Sequence, residues 1–381
     1  VRHDVRLACP AVGGRPEGRG VVATCNYEAR RYGIRSAMPL REAHRRCPHA
    51  VFLPVRHQRY REVSARVFAI FRQYAATVEP VSIDEAYLDL GGRPGLSTAI
   101  EIKRQVRRAT GLVVSIGIGP NKLLAKVACE LSKPDGLREI RADEAQTTLA
   151  PLPLRQLPGV GPKTEAHLRQ WGVTTIGDLQ RCSRGWLMNL LGSRGAWLHD
   201  AAHGVDDRPV CPPGRAQSIS DETTFPSDRP AEDLEPELAA CCARVGRRLR
   251  AAGLVARTVT LKVRFASFVT LTRSHTLPYT FADDATIHRL AGELFRRHVL
   301  ASPLPLERKG EGQRLIRLLG VQVSNFVDAQ APQQTTLFDD CRGSRAAAVV
   351  DQLCQRFGGR LIRGSALPPV AGRQGPLPRS R

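Results

Sequence analysis

Residues 78–90 read Val78-Glu79-Pro80-Val81-Ser82-Ile83-Asp84-Glu85-Ala86-Tyr87-Leu88-Asp89-Leu90. The alternation of apolar and polar residues predicts two short strands meeting near Asp84 and Glu85, with Val81, Ile83, Tyr87, Leu88 and Leu90 available for packing. Successive strand side chains point to opposite faces, so these neighbouring carboxylates can reach one ion only where the strand turns or where the longer Glu bends round. A hairpin at 82–85 provides that turn. Hard divalent ions such as Mg²⁺ are held by one or two carboxylates plus substrate phosphates, and two-metal phosphoryl transfer needs such acids on a rigid sheet. A solvated turn with no ligand is the plain alternative, and the rest of the chain has to decide between them.

Composition is the first guide. The 381 residues carry 57 Lys and Arg against 36 Asp and Glu, a formal net charge of +21. That excess predicts a polyanion partner, because Lys and Arg that neutralise backbone phosphates supply the sequence-independent part of nucleic-acid binding. No apolar run is long enough for a membrane span and no leader-like apolar core opens the chain, so a cytoplasmic protein without a membrane partner is expected. Ten cysteines without any Cys-x-x-Cys pair predict neither a zinc site nor a disulfide framework.

From the N-terminus, residues 20–30 are a β-branched run turning into a helix start, with Thr24 and Asn26 both suited to cap it. Tyr27 and Arg30 lie three apart and share a helix face; together they suit a triphosphate clamp, and the plain alternative is a surface Arg packed over a Tyr. A short basic helix follows at 40–47. In 57–74, Tyr60, Val63, Val67, Ile70, Phe71 and Tyr74 follow the spacing of one buried helix face. After the acidic hairpin come a helix at 96–110, a strand at 112–119 and a helix at 121–131, so 57–140 reads as an α+β sheet with helices on one face. Lys122, Lys126 and Lys133 follow the glycine-rich strand end. Lys133, beside Pro134-Asp135-Gly136, is the best placed of them to meet an anion.

Leu157-Pro158-Gly159-Val160-Gly161 precedes helices expected at 162–171, 175–181 and 194–203, the pattern of a helix-hairpin-helix, with an ordinary αα turn as the plain alternative. Gly159 and Gly161 let backbone N–H groups approach a phosphate, and Lys163 adds a DNA contact at the helix start, so the backbone is read without regard to sequence. A linker is expected at 211–215. Residues 217–327 form a second α+β unit with helices at 231–252 and 283–298 and a strand at 315–325. Within it, 257–277 reads as a hairpin breaking at 266–267. There Val259, Leu261, Val263 and Phe265 face one way, and Thr258, Thr260, Lys262 and Arg264 face the other, either as a cradle for a duplex backbone or as a merely solvated face. Near the end, Gln334-Thr335-Thr336-Leu337-Phe338 suits a peptide anchor. A helical pattern at 346–357 precedes a Pro-, Gly- and Arg-rich stretch beyond 364 that reads as disordered.

Taken in order, the segments at 20–30, 82–89 and 115–126, then Lys133-Pro134-Asp135-Gly136 and the glycine pair at 159–161, resemble the Y-family DNA polymerases of the bacterial DNA polymerase IV type, over about 5–357 of the chain. Five motifs in register are far more specific than any one. The resemblance implies a multidomain α+β right hand. Its parts are a palm remnant at 1–13, small fingers at 14–56, a ferredoxin-like palm at 57–150, an all-α helix-hairpin-helix thumb at 151–212, an α+β little finger at 216–328 and a clamp-binding, partly disordered tail at 329–381. By motif, Asp84 and Glu85 are the metal-binding catalytic carboxylates for two Mg²⁺ ions. Thr24, Tyr27 and Arg30 hold the incoming deoxynucleoside triphosphate and Lys133 reaches its phosphates. Gln334, Leu337 and Phe338 bind a sliding clamp. The expected activity is low-fidelity, template-directed extension of a primer 3′-hydroxyl in translesion synthesis and DNA repair, by a monomer acting on primer–template DNA.

One departure accompanies the resemblance. The family's palm opens with a strand that carries a further metal-binding Asp, followed by an aromatic gate against ribonucleotides, and this sequence starts after both. Asp4 lies only 23 residues before Tyr27 and does not replace that acid. Two expectations follow: a longer active protein read from within, or a catalytically inactive DNA- and clamp-binding relative. A nucleotidyl cyclase on a similar acid-bearing sheet fits the helix-hairpin-helix and the basic second half poorly.

Overall fold

The computed structural model describes residues 9–301, 314–328 and 351–352. The chain divides into two units, Val1–Val55 with Ala216–Arg381, and Arg56–Arg215. In the first, β1 (Pro10–Val12) pairs antiparallel with β2 (Thr24–Cys25) and parallel with β3 (Val51–Leu53). Helices α1 (Tyr27–Arg31) and α2 (Leu40–Arg46) lie between β2 and β3 and bury Ala29, Leu40 and Ala43. Asn26, not Thr24, caps α1: its Oδ1 accepts the Ala29 N–H at 2.9 Å, while Thr24 is spent in the ladder opposite Val12.

The second unit runs α3 (His57–Tyr74), β4 (Thr77–Pro80), β5 (Ala86–Asp89), α4 (Gly95–Thr110), β6 (Ile116–Ile118), α5 (Lys122–Ser132), β7 (Leu137–Glu139) and α6 (Ala145–Leu149). The single sheet expected over 57–140 is replaced by two ribbons, an antiparallel β4–β5 hairpin and a parallel β6–β7 pair, with no ladder joining them among the described residues. Both rest on one apolar layer, in which Phe68 and Phe71 of α3 and Ile102 and Val106 of α4 meet Val78, Leu88 and Ile116. Val81 and Ile83, expected to pack, are 54% and 45% exposed. They lie beyond the last hairpin pair, Pro80 opposite Ala86, where the chain has left the sheet.

The approach of α5 to β6 is close. A Cβ on Gly117 would stand 2.0 Å from the Ala125 carbonyl oxygen, and one on Gly119 would stand 2.7 Å from the Ala125 nitrogen. Glycine at both positions therefore lets the helix lie directly on the strand backbone. The N-terminus of α5 is fixed as well: Asn121 Oδ1 accepts the Leu124 N–H at 2.9 Å and Asp206 Oδ2 accepts the Leu123 N–H at 3.1 Å.

Helices α7 (Pro162–Arg169), α8 (Ile176–Arg181), α9 (Arg184–Leu191) and α10 (Ser193–Ala202) follow. The sequence reading lacked α9, a short segment starting with Arg184-Gly185 whose apolar residues are too few to show a period; Ser183 Oγ caps it by accepting the Trp186 N–H at 3.2 Å. Leu157, Leu168, Ile176 and Leu198 form a core continuous with Leu123 and Leu124 of α5.

The second half of the first unit comprises β8 (Ser218–Pro230), α11 (Glu235–Ala251), β9 (Leu254–Phe265), β10 (Thr270–Phe281), α12 (Asp284–Phe295), β11 (Leu315–Ser324) and β12 (Val327–Asp328). The strand order is β10-β9-β11-β8 with antiparallel neighbours, and β12 pairs with β9. Polar β8 escaped the sequence reading because an edge strand tolerates charges and prolines that a central strand excludes. Val259, Leu261, Val263 and Phe265 are all buried, as their alternation implies, under Leu238 and Val245 of α11 and Ile287 and Leu290 of α12. On the other face Thr258 is buried rather than solvent-facing, its Oγ1 bonded to Thr276 Oγ1 at 2.8 Å and to Asn325 Nδ2 at 2.7 Å. Within this unit the Arg19 guanidinium donates to the Asp228 carboxylate. Gln334, Leu337, Phe338 and residues beyond 364 lie outside the described residues. No helix among the described residues is long and apolar enough to cross a membrane.

Gly117→Ala should force α5 off β6 at a cost of about 1–3 kcal/mol or more, the usual range for overpacking. A lower urea midpoint checks this, whereas a midpoint equal to wild type would show that the contact is not tight.

Candidate active site

The acid pair sits in the loop that closes the β4–β5 hairpin. The Val81 and Ser82 N–H groups donate to the Glu85 carbonyl at 2.9 and 3.2 Å, so the turn is closed by backbone. Ser64 of α3 donates through its hydroxyl to the Ile83 carbonyl, pinning the tip to the helix beneath. Ser82 Oγ donates to Asp84 Oδ1 at 2.6 Å and accepts the Asp84 N–H at 3.2 Å. Asp84 is thus oriented by a neutral partner, and no ion pair engages it among the described residues. Its carboxylate is exposed and keeps lone pairs free for a cation.

Glu85 is held from α5. Lys126 Nζ donates to Glu85 Oε1 at 2.8 Å and lies 3.0 Å from Glu130 Oε1. Burial works against the charged Lys126, but the hydrogen bonds of the two glutamates outweigh it and hold its pKa well above the ordinary lysine value. One turn earlier, Lys122 Nζ donates to both oxygens of Glu79 at 2.8 and 2.7 Å and to the Pro209 carbonyl at 3.1 Å, and it lies over the Tyr87 ring at 5.3 Å. The Lys122 hydrogen bond keeps the Glu79 carboxyl below the usual carboxylate range.

Lys133, expected to meet an anion, donates to Glu130 Oε1 at 2.7 Å, so a substrate phosphate would have to compete with that carboxylate. Its position explains the pairing, since it caps the end of α5 three residues after Glu130. In the first unit, the Arg30 guanidinium lies 5.6 Å from the Tyr27 ring centroid, and Thr24, Tyr27 and Arg30 are all exposed. In the helix-hairpin-helix, Gly159 has φ +90° and a Cβ there would stand 2.9 Å from the Trp197 ring, so the turn requires glycine. Gly161 directly precedes α7 with nothing within 4 Å of an added Cβ, and Lys163 is exposed beside it. The face of β9 is less cationic than its sequence suggests. Lys262 Nζ donates to both Glu222 oxygens at 2.9 Å, reaching across Gly320 of β11, which opposes both residues, and Arg264 Nε donates to Thr270 Oγ1 at 2.9 Å.

Sequence reasoning missed the partners that hold the acids. Lys122 and Lys126 carried no assigned role, although their four-residue spacing on a helix after Gly117-Ile118-Gly119 was the available signal. It also predicted no metal-ligating cysteines. Among the described residues, the one cluster of three or more candidate metal ligands is Cys9, Cys47 and His49. The Cys47-Pro48-His49 spacing was visible, but Cys9 joins it only through the parallel pairing of β1 and β3.

The Asp84 and Glu85 oxygens suit a hard divalent ion such as Mg²⁺, completed by phosphate oxygens or water. The hairpin itself depends on Glu79, whose native pKa is lowered. The stability this lowering contributes is complete above the unfolded value near about 4.3 and is lost as pH falls through the lowered native value. The urea midpoint of wild type should therefore fall more steeply from about pH 5 to pH 3 than that of Glu79→Gln. Parallel curves would show that the Glu79–Lys122 pair contributes nothing to folding.

The model of the impB/mucB/samB family matches residues 6–130, that of the family's C-terminal domain matches 216–337, and a model described as the DNA polymerase-iota thumb domain matches 155–206. The chain is 39% identical over 376 residues to a DNA polymerase IV of Desulfatibacillum aliphaticivorans, covering 96% of this chain and 91% of that protein. It is 44% identical over 328 residues to a DNA polymerase IV of Halorhodospira halophila, covering 84% of this chain and 89% of that protein. Among solved structures, a Y-family DNA polymerase chimera of Dbh and Dpo4 aligns with TM-score 0.75 at 25% identity over 85% of this chain and 93% of that one. An insertion ternary complex of Dbh DNA polymerase aligns with TM-score 0.59 at 24% identity over 85% of this chain and 93% of that one. The chain belongs to the impB/mucB/samB family, the Y family of DNA polymerases.

Proposed function

We propose that the chain is a template-directed DNA polymerase of the translesion type, adding deoxynucleotides to a primer 3′-hydroxyl with Asp84 and Glu85 as ligands of the catalytic Mg²⁺. The observation that carries this reading is the closed acid loop, in which Lys126 positions Glu85 while Asp84 faces solvent with only a neutral donor attached. The relatives' name and the Dbh ternary complex support primer–template DNA and an incoming nucleotide as partners.

Mg²⁺, when bound, supplies Lewis-acid stabilisation of the attacking 3′-oxygen and of the charge developing on the phosphates. Asp84 and Glu85 hold it at the hairpin loop, and a pair of ions requires further oxygen ligands beyond these two side chains. Thr24, Tyr27 and Arg30 grip the triphosphate, and Lys133 adds charge to it by exchanging Glu130 for phosphate. Gly159, Gly161 and Lys163 hold the DNA backbone at the helix-hairpin-helix, with Lys262 and Arg264 on the little-finger sheet as a second contact. Gln334, Leu337 and Phe338 are the anchor for a sliding clamp. The proposed domains are a palm remnant at 1–13, fingers at 14–56, a palm at 57–150, a thumb at 151–212, a little finger at 216–328 and a clamp-binding tail at 329–381. Low fidelity, action as a monomer and a cytoplasmic location complete the proposal.

The second reading, a catalytically inactive DNA- and clamp-binding relative, is favoured by one observation: among the described residues, no cluster of three or more candidate metal ligands includes Asp84 or Glu85. Mg²⁺-dependent extension of a primed template separates the two readings. The active reading predicts extension by the wild type, with Asp84→Asn and Glu85→Gln each lowering it by about 10²-fold or more. Template binding without extension, in wild type and variants alike, would favour the inactive relative. Lys163→Ala should leave the acid site intact and reduce the salt slope of DNA binding by about 1, as the loss of one phosphate contact requires. An unchanged slope in fluorescence-anisotropy titrations would remove Lys163 from the interface.

A further inference from the structure

Cys9, Cys47 and His49 come from three positions in the first unit. Cys9 directly precedes β1, Cys47 ends α2, and His49 lies in the turn from α2 into β3. Cys47 Sγ lies 3.4 Å from His49 Nε2, Cys9 Sγ lies 3.9 Å from the same nitrogen, and the three ligand atoms all lie within 4.8 Å of one another. In a tetrahedral site with Zn–S near about 2.3 Å and Zn–N near about 2.0 Å, neighbouring donor atoms stand roughly 3.6–3.8 Å apart. The cluster is therefore near the spacing that one ion between the three atoms would impose.

We propose that Cys9, Cys47 and His49 form a binding site for a single thiophilic cation of the Zn²⁺ class. The donors are pre-positioned by backbone: the Cys9 carbonyl accepts the Val51 N–H at 3.2 Å, and Cys47 donates its N–H to Ala43 and accepts from Ala50, both at 3.0 Å. The His49 ring is steadied edge-on against Tyr32, with centroids 5.2 Å apart. Both thiols are buried and the imidazole is exposed, and a water would complete the tetrahedral set as the fourth ligand. Binding releases the two thiol protons to solvent and uses the neutral imidazole through Nε2.

Ordinary packing of a small apolar side chain accounts for Cys25 of the same core, whose Sγ donates to the Ile34 carbonyl at 3.5 Å. It does not account for two thiols converging on one imidazole nitrogen. The sulfur and nitrogen donors select a soft cation and leave hard Mg²⁺ to the carboxylates of the other unit. A bound ion would clip the start of β1 to the α2–β3 turn, below the segment that bears Thr24, Tyr27 and Arg30.

The test uses the full chain, reduced and freed of metal, titrated with Co²⁺ as a spectroscopic probe and with Zn²⁺ against a chromophoric chelator. One equivalent should bind at micromolar concentration or tighter, with a thiolate-to-cobalt charge-transfer band. His49→Ala, a substitution at an exposed side chain that leaves the core intact, should weaken binding by at least about tenfold, the lower end of what losing even an outer-shell partner costs. Cys47→Ser should abolish the band, and Cys211→Ser, a control in the other unit, should change nothing. No stoichiometric binding, or binding unaffected by both His49→Ala and Cys47→Ser, would overturn the proposal. Loss of two titratable thiols without metal in wild type, absent in Cys47→Ser, would mean a Cys9–Cys47 disulfide and would overturn it equally.

Discussion

Two lysines one helical turn apart on α5 hold the two ends of the acidic hairpin, and the geometry of the candidate site depends on that grip. Lys122 takes Glu79 at the strand and Lys126 takes Glu85 at the loop. The grip requires α5 to lie close to β6, which Gly117 and Gly119 allow, and to be anchored at its N-terminus, which Asn121 and Asp206 provide. Each part is ordinary; their combination fixes a loop that contains no regular structure of its own. Asp84 is the acid left over once the lysines are paired, and it is the one presented to solvent.

Several lysines that the sequence offers to anions are paired with carboxylates of the protein itself. Lys122, Lys126 and Lys133 neutralise Glu79, Glu85 and Glu130, and Lys262 neutralises Glu222 across Gly320. The partly exposed Lys133–Glu130 and Lys262–Glu222 pairs contribute little to stability, so an anion can displace their carboxylates at small cost, unlike the buried Lys122–Glu79 pair. The positive field that net charge implies is real, but which cations are available to DNA is set by pairing. Lys163 at the helix-hairpin-helix is exposed, whereas Lys133 and Lys262 are engaged by Glu130 and Glu222.

The sequence was most legible where one period governed a long segment. Helix 57–74 and the buried face of β9 follow directly from their spacing, because each repeats its pattern over several turns or residues. The acid hairpin was legible because Asp84 and Glu85 interrupt an alternating run. Polar β8, short α9 and the split of the sheet expected over 57–140 into two ribbons were not, since an edge strand carries no apolar alternation and short segments carry no period. Tertiary partners were legible least. Nothing local links Lys126 to Glu85 or Cys9 to His49, and each meeting depends on how two elements pair or pack.

The claim that Asp84 and Glu85 hold the catalytic cation is tested most directly by Mn²⁺ binding, followed by electron paramagnetic resonance, in the presence of primed template and a non-hydrolysable nucleotide. Wild type should bind Mn²⁺ in a nucleotide-dependent manner, with Asp84→Asn and Glu85→Gln each losing that binding while still retaining the template. Nucleotide-dependent Mn²⁺ binding of equal affinity in all three proteins would place the cation elsewhere and contradict the assignment.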